Sequence, residues 1–63
     1  MTKLIKDCAI GERVYFAGDW RTEPGYWTIN GIDDLTGSIE ATPDKGEPSS
    51  FFPNVTVHNQ APA

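Results

Sequence analysis

Cysteine and histidine each occur once in this 63-residue chain, as Cys8 and His58. One cysteine cannot close an internal disulfide, and one thiol with one imidazole makes no zinc-type ligand set. The sequence therefore calls for no metal and no cofactor. Long apolar runs are also missing: no stretch approaches the roughly 18 residues of a membrane helix. The start, Met1-Thr2-Lys3-Leu4-Ile5-Lys6-Asp7, lacks the continuous apolar segment of a secretory signal. These absences point to a cytoplasmic protein with a reduced thiol. There Cys8 reads as a small buried hydrophobe, because no local base would make it a nucleophile, and the Asn54-Val55-Thr56 sequon reads as strand composition.

No block of like charge is present either. Nine acidic and five basic side chains give a net charge of −4 and a pI near 4.6, which disfavours attraction to a phosphate backbone. Only Asp33 and Asp34 are adjacent acids. Neighbours on an extended chain point to opposite sides and cannot readily share one substrate atom, so this pair reads as a turn former. No phosphate-binding glycine loop occurs, and His58 near the chain end has no nucleophile motif beside it. A domain this small is expected to offer little room for the roughly 300 Å³ or more that small-molecule chemistry occupies. The reading is not an enzyme.

What the chain does have is seven aromatic residues: Tyr15, Phe16, Trp20, Tyr26, Trp27, Phe51 and Phe52. A chain of this length buries only roughly 60% of the surface its unfolded form exposes, so these rings must supply much of a single small core. Glycines at 11, 18, 25, 31 and 37 punctuate the first half at intervals of six or seven residues, a rhythm that suits short strands and interrupts long helices.

Between these marks the β pattern is clear. Arg13 to Ala17 predicts a strand with Val14 and Phe16 on one face and Tyr15 on the other. Trp20 to Gly25 predicts a loop ending in a type II turn at Pro24-Gly25. Tyr26 to Asn30 predicts the strongest strand, with Trp27 and Ile29 inside, followed by a bend or bulge at Gly31. Asp33 to Gly37 predicts a turn, and Ser38 to Thr42 a strand with Ile39 and Ala41 inside and Glu40 in water. Residues 43–50 predict an exposed, mobile connection. Phe51 to His58 predicts a further strand, with Val55 and Val57 on one face, and residues 59–63 a fraying tail. Leu4-Ile5 reads as a short leading strand or arm. The whole is one domain, residues 1–63, with its core over about 9–58.

Ala9-Ile10-Gly11-Glu12-Arg13-Val14-Tyr15 followed by Pro24-Gly25-Tyr26-Trp27-Thr28-Ile29 resembles the opening of small SH3-like barrels, over roughly residues 9–42. That resemblance implies an all-β fold, a small five-stranded antiparallel SH3-like barrel or strongly bent sheet, in the group that includes KOW-type domains. Nucleic-acid-binding members carry basic loops, whereas the corresponding loops here hold Asp19, Arg21, Glu23, Asp33 and Asp34. Signalling-type members bind proline-rich peptides through aromatic grooves beside acidic loops.

Phe16, Trp27 and Phe52 are assigned to the core. Trp20 lies in a polar loop and Tyr26 is out of phase with the inward set, so these two lead the candidate binding residues, joined by Tyr15, Asp19, Glu23, Asp33 and Asp34. The expected role is a non-enzymatic protein-interaction module engaging a basic or proline-containing partner. A chain this short, starting at its own Met, also fits a bacterial or phage accessory protein acting on a larger machine. The alternative is nucleic-acid binding through Lys3, Lys6, Arg13 and Arg21 with Trp20 or Tyr26 stacking on a base. Acidic nucleic-acid mimicry ranks below both. An exposed Phe51-Phe52 pair would make a weak homodimer an option beside the monomer.

Overall fold

The computed structural model describes residues 2–61. The described chain is all-β with almost no helix. Its strands are β1 (Thr2–Leu4), β2 (Arg13–Phe16), β3 (Gly25–Ile32), β4 (Ile39–Pro43), β5 (Ser49–Phe51) and β6 (Thr56–His58), with one 3-10 turn at Ile5–Asp7. All pair antiparallel in a single open sheet of order β1-β6-β2-β3-β4-β5. Among the described residues no helix is long and apolar enough to cross a bilayer.

Period-two alternation builds the core. Val14 and Phe16 from β2, Trp27 and Ile29 from β3, and Ile39 and Ala41 from β4 all face inward and are buried, together with Phe51, Val57 and Ile5. Phe51 stands edge-on to both Trp27 and Phe16, with ring centroids 4.8 Å and 5.3 Å away. Phe16 and Phe51 sit on β2 and β5, three strand spacings apart, which is about 14 Å in a flat sheet. Their contact requires a strongly bent sheet.

The expected bulge is present. The β3–β4 register shifts between Ile29 and Gly31, and the extra residue, Asn30, donates its side-chain N–H to Thr42 Oγ1 at 2.6 Å. The turn at 33–37 also forms as read: Asp33 Oδ1 accepts the N–H groups of Leu35 and Thr36.

Several expectations are corrected. Six strands form rather than five, because Phe51–His58 is cut in two: Pro53 cannot continue a ladder, and Val55 N–H folds back onto the Phe52 carbonyl at 3.2 Å. That reversal buries Phe51 at 9% exposure and turns Phe52 outward at 69%, so Phe52 is not core and the pair is not jointly exposed. The supposed mobile connection 43–50 shortens to 44–48, since Pro43 closes β4 and Ser49 opens β5. Pro24-Gly25 is no type II turn: Gly25 lacks the positive φ that turn needs and instead starts β3. Ile5 leaves the leading strand for the 3-10 turn and is buried there, donating its N–H to Val55 O at 2.7 Å. Cys8 is only half-buried, packed against the core, with its thiol 3.8 Å from Leu4 O. Of the expected fraying tail, residues 62 and 63 lie outside the described residues.

Candidate functional site

Cross-strand register gathers three aromatic rings on the outer face of the sheet. Tyr15 lies opposite Tyr26 on one side and His58 on the other. Directly opposed side chains in antiparallel strands share a face and touch. The Tyr15 ring meets Tyr26 edge-on at 5.2 Å and His58 at 6.2 Å.

Tyr26 is held from three directions. The Arg13 guanidinium stacks over its ring, 4.0 Å from the centroid, a cation–π contact. Arg13 is itself gripped by Asp44 just past β4, through a fork in which Nε donates to Oδ1 at 3.3 Å and Nη2 donates to Oδ2. This hydrogen bond pulls the Asp44 carboxyl below its ordinary range and raises Arg13. At the far end of the ring, Tyr26 Oη accepts the backbone N–H of Ala61 at 2.8 Å.

Trp20 projects from the β2–β3 loop and is 89% exposed. The loop is preset by Asp19, whose Oδ1 accepts N–H groups of Arg21 and Thr22, each at 2.8 Å, while its own N–H donates to Thr22 O. Arg21 lies over the Trp20 indole at 5.3 Å.

Two open grooves flank these features. One, of about 580 Å³, runs between the β2–β3 loop and the β4–β5 turn, lined by Glu23, Pro24, Tyr26, Pro43, Asp44 and Glu47 among others. The other, of about 710 Å³, is lined by Asp19, Arg21 and Thr22 and by the β5 strand with Phe52 and Val55. Each is larger than the roughly 300 Å³ of a small-molecule pocket, for which little room was expected, but both are open to solvent. A curled but unclosed sheet with long loops leaves concavities that chain length alone does not reveal.

The sequence-selected residues separate in space. Tyr15 and Tyr26 touch, and Tyr26 shares its groove with Glu23. Trp20 lines neither groove, and Asp19 lines the other one. Asp33 and Asp34 sit in the β3–β4 turn and line neither groove, with Asp33 engaged in closing that turn. Arg13, Asp44 and His58 complete the aromatic face but were not selected as part of it. Alternation alone puts Arg13 and Tyr15 on one side, whereas Asp44 and His58 needed the strand register. Among the described residues no group of three His, Cys, Asp or Glu side chains is placed to hold a metal.

Of the four cations considered for phosphate contacts, Arg13 is bound to Asp44 and Lys3 to Glu12. Lys3 is raised and Glu12 lowered mainly by their mutual hydrogen bond, with Glu12 helped by the Ala9 N–H. Comparison with protein families, with curated proteins and with solved structures finds no match for this chain.

Proposed function

We propose that this chain is a non-enzymatic interaction module with an SH3-like architecture, and that it binds a basic, proline-containing segment of a partner protein. The observation that carries this reading is the groove in which the Tyr26 ring and two prolines meet three carboxylates, Glu23, Asp44 and Glu47, with Arg21 and Lys45 also on its lining. Asp44 is held by Arg13, while Glu23 and Glu47 make no ion pair among the described residues and are available to an incoming cation. The prolines and Tyr26 offer rigid apolar surface against which a polyproline-type segment packs at low entropic cost. The architecture is supported by the run β2 to β5, the return of β6 beside β2, and the tight curl recorded by Phe16 and Phe51.

The nucleic-acid reading retains one supporting feature, the stacking of Arg21 on Trp20 and Arg13 on Tyr26. Neutralisation of Arg13 and Lys3 by carboxylates weighs against it.

NMR titration of the labelled chain with capped peptides containing prolines and two arginines tests the proposal. Saturable shifts at Tyr26, Glu23 and Glu47 that vanish in Tyr26→Ala support it. Shifts that appear only with single-stranded DNA or RNA, and collapse as salt rises, would transfer the site to nucleic acid.

A further inference from the structure

The sheet has two outer strands, β1 and β5, and they differ. β1 carries Lys3, bound to Glu12, and charge on an edge strand discourages further pairing. β5 reads Ser49-Ser50-Phe51 and carries no charge.

The direction of its backbone groups follows from β4. Ser38 O accepts from Asp33 N–H and Asp44 N–H donates to Tyr26 O, so even-numbered positions along β4 bond toward β3. By the alternation of an antiparallel ladder, Ile39 and Ala41 bond toward β5. Their register partners are Phe51 and Ser49. The middle residue, Ser50, therefore turns its N–H and C=O away from β4, toward the free edge. The 710 Å³ groove includes Ser49 and Ser50 of that edge in its lining, together with Phe51, Phe52, Val55, Asp19 and Arg21.

We propose that this groove is a second binding site, adjoining the one that contains Tyr26 and sharing Arg21 and Thr22 with it, and that it accepts an extended peptide strand as a seventh member of the sheet. An outward N–H and C=O on one residue match the backbone of an antiparallel strand, and Phe51, Phe52 and Val55 on the groove lining offer apolar contact to alternate side chains of that strand. The occupant is a segment of another protein that alternates apolar residues, which pack on Phe51, Phe52 and Val55, with cationic residues, which suit the net charge of −4 on this chain. A second copy of this chain is disfavoured because each copy carries a net charge of −4.

The probe is a capped hexapeptide alternating valine and lysine, titrated into the labelled full chain. The amides of Ser50 and Phe52 are expected to shift saturably and to exchange more slowly. N-methylation of one alternate set of peptide amides should weaken binding at least about tenfold, the loss of one or two hydrogen bonds, while methylating the other set leaves it nearly unchanged. Ser50→Pro should keep the wild-type fold, because the N–H it removes faces outward, yet lose the peptide. The methylated peptides carry the test even if that variant does not fold.

Absence of saturable shifts, equal affinity of both methylated peptides, or shifts confined to Trp20 and Tyr26 would overturn the proposal. Concentration-dependent self-association through the same amides without peptide would overturn it in favour of a dimer. The grooves share Arg21 and Thr22, so the two tests are told apart by their readouts: Ser50 lines only this groove and Tyr26 only the other, and Tyr26→Ala should leave the Ser50 and Phe52 shifts in place.

Discussion

Gly18 and Pro24 close the β2–β3 loop against each other: a β-carbon on Gly18 would lie 2.9 Å from both Cγ and Cδ of Pro24, and Gly18 has a φ of +93°. Both the backbone conformation and the ring demand glycine there. Gly25, one residue past that proline, has open space and no positive φ. Gly18→Ala should therefore destabilise the chain by more than about 1 kcal/mol, while Gly25→Ala stays within about 0.5 kcal/mol. Chemical denaturation of the two variants side by side checks this; equal stability would mean that the loop is not closed in this way.

Phe51 and Phe52 are neighbours with opposite fates. Phe51→Ala, like Trp27→Ala, removes a ring from the Phe16–Phe51–Trp27 cluster and should cost about 3–5 kcal/mol. Phe52→Ala should change stability by less than about 0.5 kcal/mol, since that ring is in water. A urea titration in which the order is reversed would show that the chain reversal at Pro53 has been placed one residue out of phase.

Trp20 and Tyr26 should separate stability from binding. Trp20→Ala is expected to leave the melting temperature within about 4 °C of wild type, a stability change of roughly 0.5 kcal/mol or less. Tyr26→Phe keeps the Arg13 and Tyr15 contacts but removes the oxygen that accepts Ala61 N–H. The Ala61 amide should then exchange faster with solvent while the sheet amides remain protected, which hydrogen exchange read by NMR would resolve.

Acid should weaken the fold through two carboxylates. Asp44 and Glu12 have folded-state pKa values held below ordinary by Arg13 and Lys3 respectively. The stability they contribute is present above the unfolded carboxylate range of about 4 and is lost as pH falls through the lower folded values. Lys3, raised by Glu12, keeps its contribution at neutral pH and loses it only above the ordinary lysine range. Thermal melts from pH 7 to pH 3 should show a smaller acid-induced fall for Asp44→Asn and Glu12→Gln than for wild type. Parallel curves would show that neither carboxylate is linked to folding.

Much of this molecule is local and was legible residue by residue. Inward phasing of Val14, Phe16, Trp27, Ile29, Ile39 and Ala41 follows from alternation between turn formers, because a strand has only two faces. Asp33 could be read as a turn residue because its carboxylate bonds to amides two and three positions ahead. Trp20 was legible as exposed because it sits among polar loop residues. What the sequence could not supply was which strand lies beside which. That register joins Tyr15 to His58, 43 positions apart, and Arg13 to Asp44, 31 positions apart, and it sends Phe51 inward while Phe52 turns out. Side-chain alternation is fixed by backbone geometry within a few residues, whereas pairing is chosen by the burial of the whole curled sheet, so the grooves and the free edge of β5 exist only once the strands have paired and curled.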